Sequence, residues 1–164
     1  MTAEPEQARI RTALPADDPA LIDLIQTLNA YEAVILGDRR TDRGAAEAYH
    51  RDLCERMAQQ EGRLLVAEAE GRIVALLGLV VQEDPVFLAE DLRRHCYVTD
   101  LVVDEEWRGR GVSKALLAEA ERVTREKGLK RMMISVVAGN DVAERAYEAA
   151  GFQLYGKILI KPLD

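Results

Sequence analysis

The clearest pattern in this chain is the segment Leu101-Val-Val-Asp-Glu-Glu-Trp-Arg108-Gly-Arg-Gly-Val-Ser113-Lys-Ala-Leu-Leu117. It predicts an apolar strand, a turn at 104–107, a basic glycine-rich loop and then a helix. The first turn of a helix has backbone N–H groups without internal partners and roughly half a positive charge, and glycine lets a ligand approach the backbone closely. The segment therefore predicts a binding site for a compact anion such as a phosphate.

Two familiar phosphate-binding loops do not fit this segment. A P-loop requires a Gly-Lys pair followed by Ser or Thr, whereas two residues separate Gly111 from Lys114. A dinucleotide-binding fingerprint requires a third glycine, and Lys114 occupies its position. The segment does match Arg-x-x-Gly-x-(Gly or Ala), with Ser113 as the small last residue.

The charge of the chain is unevenly distributed. The 164 residues include 22 Lys and Arg and 29 Asp and Glu, which gives a net charge of −7 with neutral His. Residues 108–131 hold eight basic and three acidic side chains, so this stretch carries +5 and the remainder −12. A short basic stretch favours a polyphosphate over a nucleic acid, which needs a broad basic face, and only eight residues are aromatic. The alternative is a basic surface helix without a ligand.

The residues before this segment predict a strand, two helices and a β-hairpin. The strand covers 10–14, the helices cover about 18–36 and 42–61, and the hairpin strands cover 64–70 and 72–81. The second hairpin strand is apolar on both faces, which is typical of a central strand. The acidic and apolar connection at 82–94 predicts a short helix over an opening.

The later part of the chain predicts alternating strands and helices. Strands cover 97–103, 132–137 and 152–161, and the helices between them end at Gly128 and Gly151. The full order is β-α-α-β-β-β-α-β-α-β, which predicts an α/β domain of the α+β type with a mixed, mostly antiparallel central sheet flanked by helices. We expect a single domain over 1–164, with 1–7 as a flexible tail.

A second motif follows the first by about 30 residues. It is Asn140-x-x-Ala143-x-x-x-Tyr147-x-x-x-Gly151-Phe152, placed after the strand at 132–137. With the loop at 108–113, in this order and approximate spacing, the chain resembles the GNAT superfamily of acetyl-CoA-dependent N-acetyltransferases. The resemblance covers residues 96–161 well and the earlier helices and hairpin in outline. It implies a three-layer domain that uses acetyl-CoA as acyl donor and needs no metal.

The resemblance also implies a role for each residue of these motifs. A splayed strand at Leu101, Val102 and Val103 offers backbone groups to the pantetheine amides and the thioester carbonyl. The implied pyrophosphate-binding residues are Arg108, Gly109, Arg110, Gly111, Val112 and Ser113. Asn140 is implied to bind the cofactor arm and Tyr147 to act as general acid for the leaving thiolate. From the helix pattern alone, Tyr147 fits a core tyrosine and Asn140 a helix cap.

The proton acceptor is the least defined part of the predicted site. Some members of the superfamily place a Glu on this strand immediately before an Asp, whereas here Thr99 precedes Asp100. Asp100 alternates with Val98 and Val102, which either buries it or aims it into the cleft. We expect Asp100 to be catalytic, but His95 and a water chain are alternatives, and a structural carboxylate is another.

The acceptor is expected to be a primary amine of a small cationic molecule. The remainder of the chain is acidic, and the connection at 82–94 is expected to border the acceptor cleft with Glu83, Asp84, Glu90 and Asp91. An acidic surface also serves solubility, and a peptide N-terminus or a protein lysine remains open. The predicted function is N-acetyl transfer to this amine. One alternative is a non-catalytic acyl-CoA-binding regulatory module, which the presence of Thr99 in place of Glu favours. Another is an unrelated nucleotide-binding domain.

The remaining expectations concern assembly and location. Many members of the superfamily end in a pair of strands. Because the tail after Phe152 is short, the resemblance implies that this pair is reduced to one strand or completed by a partner subunit, as in a homodimer. The longest apolar stretch, 73–81, is far shorter than the roughly 20 residues that cross a bilayer. The start MTAEPEQAR resembles no targeting segment, so we expect a cytoplasmic protein. Cys54 and Cys96 have no metal-ligand spacing.

Overall fold

A computed structural model describes residues 7–163, so all but one residue of the predicted tail at 1–7 lies outside them. The strands are β1 Arg9–Thr12, β2 Arg63–Ala69, β3 Arg72–Glu83, β4 Arg94–Val103 and β5 Met132–Ile134. The helices are α1 Asp18–Leu36, α2 Arg43–Gln59, α3 Glu90–Arg93, α4 Val112–Glu126 and α5 Asp141–Ala149, with short 3-10 turns at Pro15–Asp17 and Glu105–Trp107.

The five strands form one mixed sheet in the order β1-β2-β3-β4-β5. Strands β1 to β4 pair with one another in antiparallel fashion, and β5 runs parallel to β4. This confirms the predicted mixed, mostly antiparallel sheet. It also confirms β3 as a central strand, which is buried on both faces along most of its length.

The core consists of one apolar cluster on each face of the sheet. One cluster joins the sheet to α4 through residues such as Leu77, Leu116 and Ala120. The other joins it to α1 and α2 through residues such as Ile25 and Leu53. Helices therefore cover both faces, as the predicted three-layer arrangement requires.

A β-bulge at Thr99 changes the direction of the side chains on β4. Asp100 lies opposite Gly78 and Val98 lies opposite Leu79, so Thr99 is the extra residue. Val98 packs in the α4 cluster, whereas Val102 packs in the α1/α2 cluster. From the spacing, Asp100 should lie on the same face of β4 as both Val98 and Val102. That expectation is wrong, because the bulge at Thr99 puts Val98 on the opposite face from Val102.

Gly78 makes this bulge possible. A Cβ atom at position 78 would collide with the Oγ1 of Thr99 and would also approach the carboxylate of Asp100. The absence of a side chain on β3 thus leaves room for the bulged residue on β4.

The predicted helix ends are confirmed at both later helices. Gly128 follows α4 in the left-handed region with φ 69°, and the N–H of Leu129 donates to the carbonyl of Thr124 at 3.2 Å. These contacts are those of a Schellman motif. Gly151 ends α5 with φ 94°, and Asn140 caps its start.

The predicted strand at 152–161 is wrong. No residue from 152 to 163 belongs to a strand, and β5 ends at Ile134 rather than at 137. A strand needs a hydrogen-bonding neighbour, and the neighbouring edge of β5 is three residues long. We call residues 152–163 the C-terminal segment; several of its large apolar side chains are exposed, among them Ile158 at 95%. No helix among the described residues is long and apolar enough to cross a membrane.

Candidate active site

The candidate site is the cleft where β4 and β5 separate. The two strands pair only at Cys96–Met132, Tyr97–Met133 and Val98–Ile134. Beyond these pairs, Leu101, Val102 and Val103 line one wall of a large open cleft, and residues 135–139 line the other. Because β4 keeps β3 on its other side, its backbone edge toward the cleft is open to a ligand.

The glycine-rich loop lies at one end of this cleft and leads into α4. Gly109 and Gly111 have φ 72° and 80°, the left-handed conformation that glycine adopts without strain. No side chain caps α4, and its first main-chain bond is from Ala115 to Gly111. Within residues 7–163, the backbone N–H groups of Val112, Ser113 and Lys114 have no acceptor. They are therefore available to donate hydrogen bonds to an anion.

The two loop arginines are anchored by aromatic rings. The Nε of Arg108 donates to the carbonyl of Val103 at 3.2 Å, and its guanidinium lies 5.7 Å from the ring centroid of Tyr31. The guanidinium of Arg110 stacks over Trp107 at 4.8 Å. Trp107 itself is buried below the loop. Both arginines are exposed and therefore available to an anionic ligand.

Asn140 connects α5 to α1 across the cleft. Its Oδ1 accepts from the N–H of Ala143, which caps α5, and also lies 3.3 Å from the hydroxyl of Tyr31. Tyr31 was not singled out from the sequence. A signal was present, because Tyr31 and Glu32 continue the buried face of α1 after Leu28 with polar side chains.

Tyr147 lines the cleft from α5 and packs against the α4 cluster. Its ring lies 6.0 Å from that of Phe152. Burial, together with the negative charges of Glu32 and Asp100, raises the pKa of Tyr147 to about 12. The hydroxyl has no hydrogen-bond partner among the described residues, so it is free to meet a ligand.

Asp100 enters the cleft from β4 and is only 9% exposed. The hydroxyl of Tyr49, on α2, donates to its carboxylate and lies 3.0 Å from both oxygens. Burial raises the pKa of Asp100, and hydrogen bonds to the carboxylate oppose that rise. Tyr49 is a second residue that sequence reasoning missed, since its spacing on α2 is that of a core tyrosine.

His95 does not belong to the cleft. It is 2% exposed, and its Nδ1 donates to the carbonyl of Arg93 at 3.1 Å, with Asp84 3.5 Å away. Thr99 does line the cleft, at the position where some members of the superfamily carry Glu. His95 and Asp100 were the two side chains considered as proton acceptors. Of these, only Asp100 lines the cleft, which Tyr147 also lines.

The acidic connection at 82–94 does not border the cleft, so that expectation is wrong. Asp84 forms an ion pair with Arg131 at 2.8 Å and Asp91 one with Lys130 at 2.6 Å. The end of the cleft near Asp100 is lined instead by α1 and the loop after it. At this end, the carboxylate of Glu32 accepts a hydrogen bond from the Nε of Arg39 at 2.9 Å. The connection was misplaced because it joins β3 to the start of β4, whereas the cleft opens at the other end of β4, and local sequence does not show which end opens.

Residues 7–163 contain no group of three His, Cys, Asp or Glu side chains arranged to hold a metal ion. Cys54 and Cys96 are free thiols. Burial raises the pKa of both. This cleft is therefore built from backbone groups, arginines, tyrosines and one buried carboxylate.

A mixed sheet that opens between two parallel strands, beside an uncapped helix start and a basic glycine-rich loop, defines a protein that binds an elongated ligand with an anionic end. The model of the Acetyltransferase (GNAT) family matches residues 28–152. The chain belongs to this family, whose members use acetyl-CoA.

Individual relatives agree with this assignment. The L-amino acid N-acetyltransferase AaaT of Escherichia coli (strain K12) is 32% identical over 106 residues, which are 62% of this chain and 60% of AaaT. The chain spans about half the length of the curated relatives it matches, from 39% to 60% of each.

Two solved structures share the fold. A mutant of the BH1408 protein from Bacillus halodurans has a TM-score of 0.81 at 20% identity, covering 94% of this chain and 99% of that one. The aminoglycoside N-acetyltransferase AAC(6')-Iy, solved in complex with CoA, has a TM-score of 0.70 at 17% identity, covering 95% and 99%.

Proposed function

We propose that this protein transfers the acetyl group of acetyl-CoA to a primary amine of a small cationic molecule. The observation that carries the proposal is the open edge of β4, with an anion-binding loop at one end of the cleft and both Tyr147 and Asp100 facing it. Location in the cytoplasm stays a prediction.

The cofactor would lie along the cleft. The free N–H groups at the start of α4, together with Arg108 and Arg110, bind the pyrophosphate. The backbone of Leu101, Val102 and Val103 binds the pantetheine amides, and one of its N–H groups polarises the thioester carbonyl. Asn140 binds the arm from the opposite wall.

The chemistry needs one proton acceptor and one proton donor. Asp100 takes a proton from the ammonium group of the acceptor, and the neutral amine attacks the thioester carbonyl. The C–N bond forms, the C–S bond breaks, and Tyr147 donates a proton to the departing thiolate. At neutral pH Tyr147 holds this proton. Because its raised pKa makes it a weaker acid than a thiol, whose pKa is about 8.5, the transfer depends on the proton that the new amide nitrogen releases. The new amide nitrogen gives up its second proton as the tyrosine is reprotonated.

The acceptor class rests on charge. Glu32 and Asp100 both lie near the hydroxyl of Tyr147, and two carboxylates in a half-buried cleft favour a cation. The names of the relatives fit a small amine, because AaaT is an L-amino acid N-acetyltransferase and AAC(6')-Iy is an aminoglycoside N-acetyltransferase. A peptide N-terminus and a protein lysine are tested as competing acceptors.

A non-catalytic acyl-CoA-binding module is the second candidate. Thr99 stands where some members carry Glu as general base, so that base is missing from this chain. This candidate predicts tight cofactor binding without release of free CoA for any amine.

Homodimerisation is part of the proposal. The C-terminal segment contains Ile158, Leu159 and Ile160, nearly fully exposed and strand-forming in composition, and β5 ends the sheet. A second copy would cover these side chains by pairing its own segment with this edge. Sedimentation should find a dimer that the double substitution Ile158→Asp and Ile160→Asp converts to a monomer; a monomeric unmodified protein contradicts the idea.

The function is tested by calorimetric titration of acetyl-CoA, followed by a thiol-release screen over amino acids, polyamines, amino sugars, a peptide and a lysine-containing protein. We expect micromolar binding that Arg108→Ala weakens by about tenfold or more, roughly 1.4 kcal/mol. Arg51→Ala, at an exposed arginine of α2 away from the cleft, is the matched control. Equal binding of ATP and acetyl-CoA would contradict the proposal, and binding without thiol release would favour the second candidate.

A further inference from the structure

A tyrosine from the helical layer holds the buried carboxylate of the cleft. Tyr49 lies on α2, half-buried, and its hydroxyl is 3.0 Å from both oxygens of Asp100 on β4. One hydroxyl proton is thus shared between the two oxygens. The contact joins residues 51 positions apart, so it depends wholly on how α2 packs on the sheet.

Besides Tyr49, the hydroxyl of Thr99 and the positive charge of Arg56 lower the pKa of the Asp100 carboxyl. Among residues 7–163, no Lys, Arg or His nitrogen lies within ion-pair distance of its carboxylate. The bulge at Thr99 turns Asp100 toward α2, and Gly78 behind it supplies no side chain. A buried carboxylate without an ionic partner is costly, so each hydrogen bond that it accepts matters.

The charged groups around the pair come from three helices. On α2, Arg56 lowers and Asp52 raises the proton affinity of the Tyr49–Asp100 pair. Glu32 on α1 opposes ionisation of Asp100, and Tyr147 on α5 faces the same carboxylate. The facing position on β3 is Gly78. Burial raises the pKa of Tyr49 beyond its ordinary value, so Tyr49 stays protonated and remains a donor at any working pH.

We propose that Tyr49 is a positioning residue that keeps the Asp100 carboxylate ionised and fixed in the orientation in which it accepts the proton of the acceptor's ammonium group. This inference rests on the proposed function. Tyr49 itself neither gains nor loses a proton. The proton moves from the ammonium nitrogen to an oxygen of Asp100 and then to water, while Tyr147 separately protonates the thiolate.

The test is the pH dependence of kcat/KM for Tyr49→Phe. Removing the hydroxyl removes a hydrogen bond to the ionised carboxylate of Asp100, so the pKa of Asp100 should rise. The acid limb of the pH profile, where kcat/KM falls as Asp100 is protonated, should then move to higher pH by about one unit. On that limb the variant should be about tenfold slower, with the high-pH plateau within about threefold of the unmodified protein. Tyr97→Phe is the control and should leave the limb in place, because Tyr97 does not line the cleft and its hydroxyl bonds to Ser135 instead, at 2.6 Å.

A purely structural role for Tyr49 makes a different prediction. In that case Tyr49→Phe lowers the melting temperature but leaves the acid limb where it was, and this result would overturn the inference. The limb should also be absent in Asp100→Asn.

A second measurement does not need turnover. The side-chain carboxyl of Asp100 is titrated by 13C NMR in the unmodified protein and in Tyr49→Phe, with acetyl-CoA affinity as a check on folding. A rise of about one unit in the variant supports the inference, and an unchanged midpoint overturns it. An unmodified protein that acetylates no amine counts against the proposed function, while the NMR result still decides the role of Tyr49.

Discussion

The two walls of the cleft are built very differently. The β4 wall is part of a closely packed sheet with α4 on one face and α1 and α2 on the other. The opposite wall, at residues 135–139, lies between β5, which has three half-buried residues, and α5, which has no fully buried residue. One wall therefore has a large core of its own, whereas the other rests on partly buried contacts such as those of Tyr147 and Phe152. Local opening should be easier on the second wall, beside the ligand.

The largest expected effect comes from a cavity under the packed wall. Leu116 on α4 is fully buried, so Leu116→Ala should lower the free energy of unfolding by about 2–5 kcal/mol in a denaturant titration. Val142→Ala on α5 is the matched truncation on the other wall. Val142 is 64% exposed, and its loss should stay within about 0.5 kcal/mol. Similar losses for both variants would contradict the comparison.

A smaller effect is expected from filling the space beside the bulge. Gly78→Ala forces the side chain of Thr99, next to Asp100, to move, which should cost about 1–3 kcal/mol in unfolding free energy and reduce acetyl transfer as well. Gly156→Ala is the control, because a Cβ there meets no atom within 4 Å. If Gly78→Ala melts like the unmodified protein, the bulge does not need the glycine.

The helix caps offer a finer comparison between the two regions. Asn140→Ala removes the α5 cap and should cost about 1 kcal/mol of stability while also weakening acetyl-CoA binding. Asp42→Ala removes the corresponding cap of α2, where Asp42 accepts from the N–H of Ala45 at 3.0 Å. It should lower the melting temperature without changing cofactor affinity. If both variants bind acetyl-CoA equally well, Asn140 acts only as a helix cap and does not bind the cofactor.

The smallest effect is confined to acid pH and concerns the packed region. Arg11 lies 2.7 Å from Asp17 and holds the pKa of that carboxyl below its ordinary value. A lowered pKa in the folded state means that Asp17 stabilises the protein at neutral pH and that this contribution is lost as the pH falls below about 4. Melting curves should therefore show Asp17→Asn less stable than the unmodified protein at pH 7, with the gap narrowing toward pH 3. A constant gap would contradict this.

Much of the fold was predictable because its signals are local. The Schellman end at Gly128, the cap at Asn140 and the doubly apolar β3 each depend on residues a few positions apart. Tyr49 was missed because a tyrosine on a helical apolar face looks the same whether it fills a core or faces a cleft. The strand expected at 152–161 has the right composition but no neighbour within the chain, and composition alone does not supply one.

The order of elements as far as α5, the glycine-rich loop before α4 and membership of the Acetyltransferase (GNAT) family follow from the sequence, because periodicity, caps and glycine positions act over short distances. Which side chains meet in the cleft was decided by the tertiary structure. One bulged residue at Thr99 turns Asp100 toward Tyr49. The connection at 82–94 lies at the start of β4, where Asp84 and Asp91 pair with Arg131 and Lys130, and not at the end where β4 and β5 separate. Such contacts join distant parts of the chain, so they exist only once the layers have packed.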